Sequence, residues 1–240
     1  MTKGIFIVAT DTDAGKTFIT GGIIYALRKN GLNATYFKGA LSGAKRDGEV
    51  LIPGDTEFVC SISSLDENYE LLTPYIYEEA VSPHLASRLN KEPIEMELIK
   101  RNYEILKKKY DYIVAEGSGG IVCPLRWDDS RFLLEDLIKE LGMDVILVTK
   151  ATLGTINHTV LTVKYLEAIG IDVKGIIVNM YDENNICHKD NIEMIKELTG
   201  KEIINVVNDF KGTEEENIEG LKSYFDKFNV EKLIDLMKEV

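Results

Sequence analysis

Six short runs of apolar, largely β-branched residues recur along the chain, at positions 5–9, 34–37, 112–115, 145–149, 175–178 and 203–207. Each is nearly continuous rather than alternating, the pattern of strands covered on both faces. Between them the period becomes helical. Residues 17–28 place Ile19, Ile23, Ile24 and Leu27 on one stripe, and residues 94–108 place Met96, Ile99, Tyr103 and Leu106 on another, with lysines opposite. The same spacing predicts helices over 130–141, 158–169, 190–198 and 230–237. Strands alternating with crossovers longer than about a dozen residues imply a mostly parallel sheet with helices on both faces. No Pro/Ser-rich linker, low-complexity tract or internal repeat breaks the alternation, so residues 1–240 are read as a single α/β domain. The stretch 43–70 is the least regular, with a turn expected at Pro53-Gly54.

The charge balance narrows the choice of partners. Among 240 residues, 28 Lys+Arg stand against 40 Asp+Glu, a net charge of −12. Such a protein repels phosphate backbones at long range, so no nucleic-acid partner is expected, although a small anion needs only a few local donors. Cys60, Cys123 and Cys187 are far apart and lack a CxxC pairing, which argues for buried or spectator thiols rather than a disulfide framework or a zinc site. The apolar run at 4–9 is too short for a signal segment, and no run approaches the ~20 residues that span a bilayer. The expectation is a soluble, cytoplasmic protein with no membrane partner.

The chemistry gathers where strands end, since ligands in such sheets sit beyond the carboxyl ends of the strands. The first strand runs into TDTDAGKT and then into an amphipathic helix. Gly15-Lys16-Thr17 has the form of the end of a phosphate loop: backbone N–H groups wrap a phosphate, Lys16 supplies charge, and Thr17 a hydroxyl for Mg²⁺. The strict pattern would need glycine at position 10, where the chain has Thr10. An ordinary helix start, with Asp13 as N-cap and Lys16 in solvent, has the same local sequence. Glu116 closes the strand YDYIVAE ahead of a glycine-rich turn, where a metal would need an oxygen ligand. Lys38 closes the second strand, either to neutralise an anionic intermediate or to cap the edge in solvent. Asp55 taken alone reads as a turn aspartate. His84, on an expected loop, has no neighbouring nucleophile, and His158, at an expected helix start, reads as structural. The residues before it, with Gly154, form a possible anion site, and Trp127 reads as packing.

TDTDAGKT, YFKGALSG, GDT, TPYIYEEAVSPH, EGSGG, LGTINH and the IIVN strand end occur in the order seen in the dethiobiotin synthetases, and over about residues 4–180 the chain resembles that family. The resemblance implies a P-loop NTPase-type fold and an ATP-dependent ligase of biotin biosynthesis. Its substrates would be 7,8-diaminononanoate, CO₂ (or bicarbonate) and ATP, with Mg²⁺ as cofactor. Lys16, Lys38 and Thr12 would be catalytic. Asp13, Ala14, Gly15, Lys16, Thr17, Phe18, Glu116 and Asn179 would bind nucleotide, Asn179 reading the base. Thr12, Lys38, Ser42, Gly119, Gly154, Thr155 and Asn157 would bind substrate, and Thr17, Asp55 and Glu116 the metal. The family is homodimeric with shared active sites, the 154–157 segment serving the other subunit. Ala9, Gly39-Ala40 and residues 205–208 depart from the family pattern. The competing reading is an ATPase switch of the ParA/MinD kind, which shares this type of sheet and loop but usually presents a basic or amphipathic surface.

Overall fold

The computed structural model describes residues 1–209 and 218–240. Its central sheet contains β1 (Lys3–Ala9), β2 (Ala34–Phe37), β3 (Tyr112–Glu116), β4 (Val145–Lys150), β5 (Val173–Tyr181) and β6 (Ile203–Asn208). These pair in the order β6-β5-β4-β1-β3-β2, and every pairing in that series is parallel. A seventh strand, β7 (Lys238–Glu239), lies antiparallel against Lys3 and Gly4 of β1. All six apolar runs become strands. The middle strands carry Ile5, Ile7, Val8, Ile146, Leu147, Ile176 and Ile177 fully buried, because helices cover both sides of them.

The helices are α1 (Lys16–Lys29), α2 (Gly54–Ser63), α3 (Tyr69–Leu72), α4 (Pro83–Asn90), α5 (Met96–Lys109), α6 (Leu134–Glu140), α7 (Thr155–Ala168), α8 (Ile186–Thr199), α9 (Ile218–Phe225) and α10 (Val230–Leu236). The apolar stripe of α1 packs on the sheet, and α2, α9 and α10 pack against α1. Gly22 makes the approach of α9 possible: a Cβ there would sit 2.4 Å from the Phe225 ring. On the opposite side, the Tyr103 ring of α5 meets Phe37 of β2 at 5.6 Å between centroids.

Several expectations need correction. The segment 130–141 is not helical throughout: Arg131–Leu133 pairs with Pro124–Trp127 in a hairpin, and α6 starts only at Leu134. The β-branched and aromatic character of RFL and the turn at 128–130, closed by Asp128, favour the hairpin there. The stretch 43–70 is ordered into a hairpin (Lys45–Asp47 with Val50–Ile52) followed by α2, with Asp55 in the first helical turn rather than in a loop. An acidic residue at a helix N-terminus is favoured by the helix dipole. His84 lies in the first turn of α4 behind Pro83, a residue suited to a helix start, and the α7 helix begins at Thr155, three residues before His158. Trp127 is half exposed, with the Arg131 guanidinium 5.1 Å from its ring centroid, so it covers surface rather than core.

Candidate active site

The carboxyl ends of β1, β2 and β3 open into a cleft of about 460 Å³ lined by Thr12, Asp13, Gly15, Lys16, Thr17, Phe18, Lys38, Ser42, Asp55, Glu116, Ser118 and Gly119. Its construction follows from strand register. Phe37 pairs with Ala115, so Tyr36 and Lys38 fall on the same face as Val114 and Glu116. Lys38 thereby meets Glu116, donating to its Oε1 at 2.8 Å, and it also donates to Asp55 Oδ2. Thr17, one residue into α1, donates to the same Glu116 oxygen at 2.8 Å. Tyr36 donates its phenol to Glu116 Oε2 at 3.2 Å.

The loop before α1 is a short 3-10 turn (Thr12–Ala14) whose first N–H is capped by Asp11 at 2.7 Å. Gly15 follows with φ +85°, a conformation that disfavours any side chain. Space forbids one as well, since a Cβ at Gly15 would lie 2.2 Å from Nδ2 of Asn179. That same Nδ2 donates to the Ala14 carbonyl at 3.0 Å, so the end of β5 shapes the phosphate loop. Lys16 reaches back over the loop, its Nζ 3.4 Å from the carbonyls of Asp11 and Thr12. Ala9, where the family pattern has glycine, ends β1 fully buried without a positive φ, so its Cβ is accommodated. Gly39 packs against Leu137 of α6, and the Ala40 carbonyl accepts from Ser118 Oγ at 2.7 Å, which keeps the turn after Lys38 closed.

Two lysines share this cleft in different electrostatic states. Burial pulls the Lys16 ammonium down to about 8 despite Glu116, and Lys38 adds to the fall. Burial acts on Lys38 in the same direction, but Glu116 and Asp55 together outweigh it and hold Lys38 above the usual lysine range. Burial alone would raise Asp55, yet the Lys38 ammonium keeps it below the usual carboxylate range. The cleft therefore contains one firmly charged cation locked between carboxylates and one cation that, among the described residues, lacks a close partner and is ready for an anion. Two carboxylates and a hydroxyl gathered around the Lys38 ammonium are hard oxygen donors, the chemistry that suits Mg²⁺. These residues fit that ion.

The family described as AAA domain matches residues 3–217. A protein of Clostridium novyi (strain NT), named ATP-dependent dethiobiotin synthetase BioD, is 59% identical over 234 residues, spanning 97% of this chain and 98% of that protein. Proteins of the same name from Clostridium acetobutylicum and Clostridium kluyveri are 51% and 49% identical, over 99% and 100% of this chain and the whole of each relative. The chain belongs to the dethiobiotin synthetase family. Solved structures with the same fold include a ParA family ATPase from Chlorobium tepidum TLS (TM-score 0.57, 16% identity, 98% of this chain and 97% of that one). Another is the MinD protein of Pyrococcus horikoshii OT3 complexed with Mg-ADP (TM-score 0.54, 17% identity, 98% and 94%). They share the architecture, and the ParA/MinD resemblance extends no further than fold.

In this member of the family, the structure brings Thr12, Asp13, Gly15, Lys16, Thr17, Phe18, Lys38, Ser42, Asp55, Glu116 and Gly119 to one cleft. Ala14 and Asn179 lie directly behind its loop. Gly154, Thr155 and Asn157 do not line this cleft. They form the start of α7, where Gly154 has φ +92°, Leu153 is 95% exposed and Asn157 is exposed. The Thr155 side chain turns inward, its Oγ1 2.8 Å from that of buried Thr149, which also meets Thr159 at 2.8 Å. Sequence reading passed over Tyr36 and Ser118. Tyr36 could have been found from its place two residues before Lys38 on an alternating strand.

Proposed function

We propose that this chain closes the ureido ring of dethiobiotin in an ATP-dependent, Mg²⁺-requiring ligation. CO₂ adds to one amine of 7,8-diaminononanoate, which loses a proton, to give a carbamate. A carbamate oxygen attacks the γ-phosphorus of ATP and ADP leaves. The second amine then attacks the carbonyl of the carbamic-phosphoric anhydride, losing a proton, and phosphate departs as the ring closes. The observation that carries this reading is the pair of buried ammonium groups, Lys16 and Lys38, flanking one cleft beside a carboxylate–hydroxyl set, in a chain 59% identical to a named synthetase. Phosphoryl transfer needs positioning and charge neutralisation rather than a covalent nucleophile, so the cleft is chemically sufficient without one.

The roles follow from charge and place. Lys16, poorly partnered by protein, meets the β/γ-phosphate oxygens, and the backbone at Gly15 lets them come close. Asn179, whose Nδ2 is committed to Ala14, reads the base. Lys38 neutralises the carbamate and the transferred phosphoryl group, and Thr12, Ser42 and Gly119 border that substrate. Thr17, Asp55 and Glu116 would hold Mg²⁺, which when bound supplies charge neutralisation to the phosphates. In a homodimer, the α7 N-terminus (Gly154, Thr155, Asn157) of a second copy would meet the substrate carboxylate, favoured there by the helix dipole. The exposure of Leu153 and Asn157 leaves that terminus accessible to another subunit.

Phosphate release from Mg-ATP, with and without the diamine and bicarbonate, tests the proposal. Release that requires both, with dethiobiotin formed one for one, is the expected outcome. Turnover independent of both, or stimulated by DNA or lipid, would instead place the chain with the ATPase switches.

A further inference from the structure

The hydrogen bonding around Glu116 is divided between its two oxygens. Oε1 faces the cleft and accepts from Thr17 and Lys38, both at 2.8 Å. Oε2 faces the sheet and accepts from Tyr36 at 3.2 Å. Glu116 is 1% exposed and Tyr36 wholly buried, so water is no ready substitute for that phenol. We propose that Tyr36 is a positioning residue: its phenol pins the inner oxygen of Glu116 and so turns the outer one toward the metal and phosphate side of the cleft. This rests on the reading of Glu116 as a metal ligand.

Three physical points support it. The two residues sit in diagonal register, Tyr36 opposite Val114 and Glu116 two positions on, which is the reach of a long side chain between neighbouring strands. A buried carboxylate oxygen deprived of its donor is costly, and the carboxylate would rotate or draw Lys38 inward to recover a partner. Packing alone does not call for the hydroxyl. Phe37, next to Tyr36 on β2, and Phe6, on β1, fill comparably buried positions in the same sheet without one. Groups that orient a ligating side chain typically change metal affinity or activity by about 10- to 100-fold when removed.

The test uses Tyr36→Phe, Glu116→Ala and the double variant, each checked for fold by circular dichroism and thermal melting. ADP affinity is measured by calorimetry in EDTA and across a Mg²⁺ series. For Tyr36→Phe, the Mg²⁺ concentration giving half of the metal-dependent gain should rise about 10-fold, with metal-free ADP affinity held within about twofold. Glu116→Ala should lose most of the gain, and adding Tyr36→Phe to it should change nothing more. A folded Tyr36→Phe with wild-type Mg²⁺ dependence, beside a Glu116→Ala that loses it, overturns the role of Tyr36 alone. So does a Tyr36→Phe effect that persists in the double variant or falls equally on metal-free ADP. Unchanged Mg²⁺ dependence in Glu116→Ala overturns the metal reading itself, and this inference with it. Should Tyr36→Phe not fold, 3-fluorotyrosine placed at position 36 keeps the phenol. Its ¹⁹F resonance should move with Mg-ADP and not with ADP alone, and a resonance blind to the metal overturns the proposal.

Discussion

Replacing Lys16 by Met should make the nucleotide-free protein more stable while abolishing turnover. Lys16 is 5% exposed, and among the described residues its Nζ has two carbonyl contacts, both at 3.4 Å, too long for strong hydrogen bonds. Burial lowers its ammonium from 10.5 to about 8. At about 1.4 kcal/mol per pKa unit, holding that charge at pH 7 costs the fold about 3 kcal/mol, an upper bound. Methionine keeps most of the stem and its packing, so about 1–3 kcal/mol should be regained, raising Tm by several degrees. The pH dependence has a definite sign. The penalty is fully present below about 8, where Lys16 is charged in both the folded and unfolded states, and disappears as pH rises through about 8 to 10.5. Thermal and urea unfolding in EDTA, without nucleotide, should show a stability gap between variant and wild type that is widest near pH 7. The gap should close by about pH 10.5. Phosphate release should fall at least about 10²-fold, as when a single transition-state donor is removed. A Lys16→Met protein no more stable than wild type at pH 7, or a gap indifferent to pH, would refute the idea that this cation is held at a cost until phosphate arrives.

Two other outcomes follow from packing and burial. Gly22→Ala should destabilise by about 1–3 kcal/mol, because its Cβ would fall 2.4 Å from the Phe225 ring and force α1 and α9 apart; an unchanged urea midpoint would show that the helices yield freely. Burial pushes the Cys60 thiol up to about 12 and the Cys123 thiol to about 11, whereas Cys187 is exposed. A thiol-specific chromogenic reagent at pH 8 should therefore titrate one thiol quickly in the native protein and all three only after unfolding. A second fast thiol would contradict the packing around Cys60 or Cys123.

Much of this arrangement is local in the chain, and local features are what a sequence displays. The six central strands announce themselves as continuous apolar runs because both of their faces are covered, and α1 as a 3.6-residue stripe behind Gly15-Lys16-Thr17. Lys38 and Glu116 are legible as strand-end charges, since strands in a parallel sheet deliver their last residues to one edge. The segment 43–70 was not legible, because its hairpin is largely exposed and α2 packs on α1 through a short mixed set (Thr56, Val59, Cys60, Ile62 and Ser63), a period too brief to tell helix from loop. Consequently Asp55, apart from the family resemblance, reads only as a turn residue, although the fold folds α2 back to set it against Lys38, 17 positions away. The same limit applies across longer separations. Asn179 and Ala14 are 165 positions apart, and they meet only because β4 lies between β1 and β5, bringing the ends of these strands to one edge behind the phosphate loop. Residue types and their spacing state which groups the chemistry has available. Strand order and register then decide which of them share a face, and in this protein that is what locks Lys38 between two carboxylates and, among the described residues, leaves Lys16 without a close one.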